Sequence, residues 1–210
     1  MIRHLIWDWN GTLLDDVEAC VGAINRMLER RCLPGIDTRI YRQIFDFPVI
    51  GYYAQLGFDL EAEDWNAVAI EFHQHYGALA LTAALREGVA EVLAKLDGMV
   101  EGMSVLSACE QTILERMLSE HGIRRHFGQV AGLDNLHAAS KLANGRKLLA
   151  ALELPPEEIV LIGDTNHDHE VAAALGIGCL LLAGGHQAES RLLATELVHA
   201  VGDLQARLCF

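Results

Sequence analysis

Short apolar segments alternate with helical patterns along most of this chain of 210 residues. Each segment has the length and composition of a buried strand. The segments cover residues 5–7, 103–107, 129–131, 159–162 and 179–182. Strands that alternate with helices pair in parallel through right-handed crossovers, and helices then cover both faces of the sheet. The pattern therefore predicts an α/β fold with a Rossmann-like, three-layer core around a parallel sheet.

A helical stretch interrupts this alternation between residues 16 and 84. Its first part repeats apolar residues at helical spacing, namely Val17, Cys20, Val21, Ile24, Met27 and Leu28. A second helical pattern covers residues 64–80, where the stripe of Trp65, Phe72 and Tyr76 is expected to pack in a core. We expect an inserted all-helical cap domain at residues 16–84, with residues 1–15 and 85–210 forming the core domain.

Composition and charge narrow the classes of partner. The chain carries 29 acidic and 16 basic side chains, a formal net charge of −13. Such a charge argues against nucleic acid and membrane surfaces as partners. No apolar run has the length of a membrane span, and Asp8 interrupts the N-terminal run, unlike a signal peptide. The five scattered cysteines form no Cys-x-x-Cys pair, which predicts reduced thiols and a cytoplasmic location.

Three predicted strands end in residues suited to phosphoryl chemistry. Asp8 follows the first strand, Ser107 ends the second, and Asp164 ends a later one. The carboxyl ends of parallel strands share one edge of the sheet, where ligand sites form. Asp168 lies four residues beyond Asp164, and Lys141 lies between the second and third strand ends. Carboxylates of this kind suit Mg²⁺, which together with Lys141 and Ser107 would neutralise a phosphoryl group attacked by Asp8.

Four motifs, found in this order, make the chain resemble the haloacid dehalogenase superfamily of phosphohydrolases. They are Asp8 to Thr12, Ser107, Lys141, and Gly163-Asp164 with Asp168. Each motif alone is weak, but all four in order form a specific pattern. The helical segment at 16–84 resembles the cap that this family inserts after the first motif. Residues 163–170 and 47–58 look most like phosphoglycolate-phosphatase-type enzymes.

The resemblance implies a Mg²⁺ site made of four residues. Asp8 would attack phosphorus and also bind the metal. The backbone carbonyl of Asn10 and the carboxylate of Asp164 would be further ligands. Asp168 would support the metal or its waters.

The resemblance also implies a phosphate site. Ser107 and the backbone amide of Ala108 would hold the phosphate. Lys141 would screen Asp8 from the charge of the phosphate, and so counts as both a catalytic and a substrate-binding residue. Thr12 would shape the turn after the nucleophile and belongs with the substrate-binding residues.

Asn10 departs from the pattern of the family's phosphatases, which have an aspartate two residues after the nucleophile. That aspartate protonates the leaving alkoxide and later activates water, whereas asparagine cannot exchange a proton. General acid–base catalysis contributes about 10²–10⁴-fold, so its loss matters most with a poor leaving group. Three interpretations stay open. The enzyme is slow or restricted to good leaving groups such as acyl phosphates; or Asp15, Asp16 or His167 replaces the acid; or the chain binds phosphorylated ligands without turnover.

The leading hypothesis is a Mg²⁺-dependent phosphohydrolase for a small phosphorylated metabolite, working through an aspartyl-phosphate on Asp8. One alternative is a catalytically weakened relative that binds a phosphorylated ligand in a regulatory role. A second alternative is a phosphotransferase or mutase. Cap residues are candidates for contacts with the substrate, although packing within the cap explains each of them as well; they are Arg39, Arg42, Tyr52 and Tyr53. The sequence is compatible with a monomer or a homodimer.

Overall fold

A six-stranded parallel sheet forms the centre of the computed structural model, which describes residues 1–138, 140–193 and 197–208. The strands are β1 (His4–Trp7), β4 (Gly102–Glu110), β5 (Gln129–Leu133), β6 (Ile159–Gly163), β7 (Gly178–Leu182) and β8 (Leu197–Val198). Their order across the sheet is β5-β4-β1-β6-β7-β8. A separate antiparallel pair joins β2 (Leu14–Asp15) to β3 (Ala84–Leu85). The predicted α/β class and parallel sheet are confirmed.

The central strand β1 is buried on both faces because its residues are apolar on both. It pairs with β4 on one side and with β6 on the other, so that Leu5 lies level with Met103 and Val160. Side chains alternate across a strand. Leu5 and Trp7 accordingly join one apolar cluster, while Ile6 joins a second cluster with Leu106 and Leu161. Two apolar clusters on opposite faces of one sheet make the predicted three-layer core.

Helices cover the sheet and fill the segment between β2 and β3. In that segment lie α1 (Val17–Arg30), α2 (Thr38–Ile44), α3 (Val49–Gln55) and α4 (Trp65–Ala80). The others are α5 (Val89–Leu96), α6 (Gln111–Glu120), α7 (Leu142–Leu152), α8 (Asn166–Leu175) and α9 (Leu204–Arg207). Every apolar residue of the pattern predicted for α1 is buried. None of the described helices combines the length and the apolarity that a bilayer span requires.

The helical segment contains no strand among its described residues, as its sequence pattern predicted. The β2–β3 pair closes both of its ends, where Leu14 lies opposite Leu85 and Asp15 opposite Ala84. These positions are close to the boundaries expected for the cap domain. The division into a core and a cap that act as separate units stays a prediction.

The helix α8 begins five residues before the apolar pattern at 171–175 indicated. It starts at Asn166 because Thr165 and Asp168 form a capping box at its N-terminus. Such a box satisfies backbone amides that the first turn leaves unpaired, so polar residues can begin a helix ahead of its apolar stripe. The short helices α2 and α3 were also missing from the sequence-based expectation, since seven residues are too few to show a period.

His4 in β1 gives the fold a predictable response to acid. Its ring is buried, with Nε2 2.9 Å from the hydroxyl of Ser104 on β4, and burial lowers its pKa to about 4 from an ordinary 6.5. Between these values the unfolded chain binds a proton that the folded chain excludes. The contribution of His4 to the unfolding free energy is therefore complete above pH 6.5, and it is lost as the pH drops toward 4.

We expect His4→Gln to flatten this part of the stability profile, because glutamine takes up no proton. The fall in unfolding free energy between pH 6.5 and 4 should shrink by at most about 3 kcal/mol, measured by urea unfolding at each pH. The matched control is His199→Gln, because His199 is exposed. Identical slopes for wild type and His4→Gln would contradict the prediction.

Candidate active site

Parallel strands bring Asp8, Ser107 and Asp164 to the carboxyl edge of the sheet. Asp8 directly follows β1, and its backbone amide donates to the carbonyl of Ile162 in β6 at 2.8 Å. Asp164 directly follows β6, and Ser107 lies in the last part of β4. All three side chains are buried. The sequence-based argument from strand ends therefore places these three residues correctly.

The ammonium group of Lys141 connects the carboxylates at this edge. Lys141 immediately precedes α7 and is 2% exposed. Its Nζ donates to Oδ1 of Asp8 at 2.5 Å, to Oδ1 of Asp168 at 2.6 Å, and to the carbonyl of Leu106 at 3.1 Å. Burial alone would lower the pKa of Lys141, but the two carboxylates outweigh it and raise that pKa. Lys141 is therefore a permanent cation beside Asp8, as the sequence predicted.

Three buried carboxylates share this single cation. Oxygens of Asp8, Asp164 and Asp168 all lie within 4.8 Å of one another. Burial, reinforced by the neighbouring carboxylates, outweighs Lys141 and raises the pKa of Asp8 to about 8. Burial also raises the pKa of Asp164. For Asp168 the attraction of Lys141 outweighs burial, and the pKa is lowered. The three carboxylates therefore cannot all stay ionised beside one ammonium group, and a divalent cation would supply the positive charge that they need.

Thr12 lies in the turn after Asp8 and contacts a carboxylate of the site. Its side chain is fully buried, and its hydroxyl donates to Oδ1 of Asp164 at 2.8 Å. The other oxygen of Asp164 accepts from the backbone amide of His186 at 2.6 Å. These two hydrogen bonds fix the orientation of Asp164. A role of Thr12 in substrate binding stays a prediction.

The end of β4 leaves the regular ladder at Ser107 and Ala108. Leu106 pairs with Ala131 of β5, and Glu110 pairs with Leu133. An advance of four residues along β4 therefore matches an advance of only two residues along β5. Such an irregularity releases backbone groups from the sheet. The hydroxyl of Ser107 accepts from the amide of Cys109 at 3.1 Å, which leaves its own hydrogen free to donate. Ser107 and Ala108 both line the cavity beside Asp8.

Asn10 is held against Asp16 by its amide group. Nδ2 of Asn10 donates to Oδ2 of Asp16 at 2.7 Å and to the hydroxyl of Tyr76 at 2.9 Å. The sharp turn that allows this uses Gly11 at φ +71°, where a Cβ would collide with the carboxylate of Asp164. The side chain of Asn10 is thus tied to the helical segment through Tyr76 of α4.

Asp16 is the centre of a second buried network. Its carboxylate accepts from Asn10, Gly11 N (2.9 Å), Tyr76 (2.8 Å), His186 Nε2 (3.1 Å) and Cys20 (3.6 Å). Burial would raise the pKa of Asp16, but the attraction of His186 outweighs it and lowers that pKa. Asp16 is therefore an anion that accepts hydrogen bonds and has no proton to donate.

His186 is the residue of this network that sequence reasoning missed. Its ring is buried, with Nε2 on Asp16 and Nδ1 2.8 Å from the hydroxyl of Tyr41. Burial would lower its pKa, but the carboxylates, Asp16 first, raise it to about 9. It lies four residues after the last residue of β7, Leu182. Reading the end of that strand as was done for β1 and β6 would have found it.

The three groups proposed to replace the missing acid differ in position. Asp15 is exposed, and Asp16 is fully buried within its network. Of the three, His167 alone lines the cavity beside Asp8. Its ring stacks on Phe47 with centroids 4.6 Å apart, and its Nε2 has no hydrogen-bond partner.

The cavity above Asp8 has a volume of about 120 Å³ and is enclosed mainly by rings. Tyr52 and Tyr53 line it, in agreement with their proposed contact with the substrate. Arg42 instead donates to the carbonyls of Gly184 and Gly185, and Arg39 is exposed. The predicted core stripe of Trp65, Phe72 and Tyr76 packs on the apolar core and also lines this cavity.

The fold and the carboxylate cluster define an α/β protein with a candidate phosphate and cation site at the carboxyl edge of its sheet. A profile of the haloacid dehalogenase-like hydrolase family matches residues 5–182. The chain therefore belongs to the haloacid dehalogenase-like hydrolases.

Individual relatives resemble the chain over most of its length, at low sequence identity. A phosphoglycolate phosphatase from Chromobacterium violaceum is 28% identical over 97% of this chain and 95% of its own length. The tyrosine-protein kinase PtkA from Mycobacterium tuberculosis is 26% identical over 87% of this chain. The match covers only 62% of the length of PtkA. A haloacid dehalogenase-like hydrolase from Streptococcus pneumoniae has the same fold, with a TM-score of 0.86 at 19% identity over 99% of both chains.

We expect Asp16→Asn to destabilise the protein, because an amide in place of the carboxylate turns one acceptor of a buried network into a donor. The unfolding free energy should fall by about 1–3 kcal/mol, measured by urea unfolding at pH 7. The neighbouring variant Asp15→Asn is the matched control and should stay within about 0.5 kcal/mol of wild type, because its side chain is exposed. Equal stabilities for the two variants would show that the Asp16 network does not stabilise the fold.

Proposed function

We propose that the chain is a Mg²⁺-dependent phosphohydrolase that acts on a small phosphorylated substrate through a phosphate carried on Asp8. The observation that carries this proposal is the buried contact of Asp8 with Lys141, beside two further carboxylates. Membership of the hydrolase family and the similarity to a phosphatase over nearly the whole of both chains support it.

The residues present fit a bound Mg²⁺. Asp8, Asp164 and Asp168 offer hard oxygen ligands, and a divalent cation would keep all three ionised, which Lys141 alone does not. We infer that Asp8, Asp164 and the backbone carbonyl of Asn10 hold the metal, with Asp168 as support. When bound, Mg²⁺ would draw charge from the phosphoryl oxygens.

The protein's own groups account for the attack on phosphorus. Lys141 holds Asp8 in place and lowers the repulsion between its carboxylate and a dianionic phosphate. The free hydroxyl hydrogen of Ser107 and the backbone amide of Ala108 would donate to phosphoryl oxygens. An oxygen of Asp8 would then displace the leaving group, and water would later release the phosphate from Asp8.

Two other candidate functions have weaker support. An amide tied to Asp16 and Tyr76 cannot deliver a proton, which favours a regulatory protein that binds a phosphorylated ligand. The relative named as a tyrosine-protein kinase favours a phosphotransferase. A binder would release no phosphate, and a phosphotransferase would release phosphate only when no acceptor is present.

The test of activity is phosphate release from acetyl phosphate and p-nitrophenyl phosphate. We expect wild type to hydrolyse both, and Asp8→Asn to lower kcat by about 10³-fold or more because the nucleophile is gone. Asp15→Asn is the control for a charge change next to the site and should keep wild-type activity. Turnover that survives in Asp8→Asn would show that Asp8 is not the nucleophile.

A metal site at these residues predicts stabilisation by Mg²⁺. At a concentration of about 100 times its dissociation constant, Mg²⁺ should add about 2.7 kcal/mol to the unfolding free energy of wild type. Asp164→Asn should reduce that gain, whatever its own stability, because a ligand charge is lost. Thermal unfolding with Mg²⁺ and with EDTA measures the gain. An equal gain in the variant would place the metal elsewhere.

A further inference from the structure

The walls of the cavity above Asp8 indicate the chemistry of the leaving group. Asp8, Ser107 and Lys141 line the cavity, so the ester group of a phosphate bound to them would face the other walls. Those walls are formed largely by rings, among them Tyr41, Phe45, Tyr52, Trp65, Phe72 and Tyr76. Rings of this kind pack well against another aromatic ring.

The cations beside the cavity are already paired within the protein. Lys141 binds Asp8 and Asp168, and it is the only lysine or arginine among the lining residues. His186 is paired with Asp16. A second anionic group on the substrate, such as a carboxylate, would therefore be buried without a cationic partner, which is costly.

Size gives a further limit on the leaving group. The cavity has a volume of about 120 Å³. An engineered apolar cavity of about 150 Å³ is known to bind benzene. The leaving group is therefore no larger than one six-membered ring.

Two unpaired polar atoms in the cavity are available to a ligand. The hydroxyl of Tyr52 and Nε2 of His167 belong to lining residues that are 2% and 8% exposed, and neither atom has a hydrogen-bond partner. Buried polar atoms are nearly always paired in folded proteins. A bound molecule with a polar substituent would supply the missing partners.

Asn10 determines how acidic the alcohol must be that departs from the phosphate. Asn10 has no proton to give to the ester oxygen, so the reaction favours an ester oxygen that can depart as an anion. A phenol has a pKa of about 10, against about 16 for water, and simple alcohols resemble water. A phenolate therefore leaves without help, whereas an alkoxide does not.

We propose that the substrate is an aryl phosphate, a phosphate monoester of a single-ring, uncharged phenol. This inference rests on the proposed phosphohydrolase function and names its substrate class. An oxygen of Asp8 forms a bond to phosphorus while the phosphorus–oxygen bond to the ring breaks, and its electron pair leaves on the phenolate. Water then attacks the phosphorus, the bond to Asp8 breaks, and inorganic phosphate leaves with the carboxylate restored. The phenolate takes its proton from solvent.

A set of four substrates separates recognition of the ring from acidity of the leaving group. Phenyl phosphate has both properties, benzyl phosphate only the ring, acetyl phosphate only the good leaving group, and phosphoglycolate neither. We expect kcat/KM to be highest for phenyl phosphate. Benzyl phosphate should keep a similar KM with kcat lower by about 10²-fold or more. Acetyl phosphate should have a KM about tenfold higher.

The outcomes distinguish failure of this inference from failure of the proposed function. Hydrolysis of acetyl phosphate with phosphoglycolate equal to or better than phenyl phosphate would overturn the aryl substrate and leave the phosphohydrolase standing. No release from any of the four would overturn both. A tyrosine-phosphorylated peptide carries the same phenyl phosphate on a larger molecule. We expect it to be cleaved more slowly than phenyl phosphate, because buried rings enclose the cavity, and faster cleavage would overturn the small-molecule source.

Two variants test the two halves of the argument. Asn10→Asp restores a group that exchanges protons, and should raise kcat for benzyl phosphate far more than for phenyl phosphate. Phe72→Ala removes a wall of the cavity, and should raise KM for phenyl phosphate about tenfold more than KM for acetyl phosphate. Ile70→Ala on the same helix is the matched control, because Ile70 is exposed and does not line the cavity. Far-UV circular dichroism and thermal unfolding show that each variant is folded. Equal changes for both substrates would contradict the proposal.

Discussion

The contact of Lys141 with Asp8 and Asp168 is the interaction on which the rest of the site depends. Three buried carboxylates meet at the edge of the sheet, and without the ammonium group they would repel one another in a medium that solvates them poorly. The parallel sheet creates this problem, since it directs the ends of β1 and β6 to the same edge. The lysine in front of α7 solves part of it. The charge that remains is what makes the cluster suitable for a divalent cation and a phosphate.

A further buried carboxylate, that of Asp16, connects the sheet to the helical segment. Its partners come from the turn after β1, from α4 and from the loop after β7. Tyr76 donates to Asp16 and also lines the cavity, so the position of α4 and the shape of the cavity are set by the same hydrogen bonds. A movement of the helical segment away from the sheet would have to break them. The network therefore favours a closed arrangement over Asp8.

Sequence reasoning predicted the residues whose positions follow from chain direction alone. Asp8, Ser107 and Asp164 lie at strand ends, and parallel pairing brings any such residues together. The contact of Thr12 with Asp164 was not predictable, because a hydroxyl beside a nucleophile can face the substrate or a neighbouring carboxylate, and only packing decides which. His186 was missed because its partner Asp16 is 170 residues away in the chain. The stripe of Trp65 and Phe72 was expected to be core, since periodicity shows that a face is buried and not whether it meets protein or ligand.

Asn10 and the rings of the cavity favour the same kind of leaving group. Asn10 offers no proton to the ester oxygen, and a substrate whose ester oxygen is acidic can leave without one. Aromatic alcohols are acidic because the ring stabilises the anion, and the same ring is what an aromatic wall recognises. A cavity lined by cations would select small anionic metabolites, whose alkoxide leaving groups require the aspartate that this chain lacks. The residue at position 10 and the walls of the cavity therefore select for the same class of substrate by independent means.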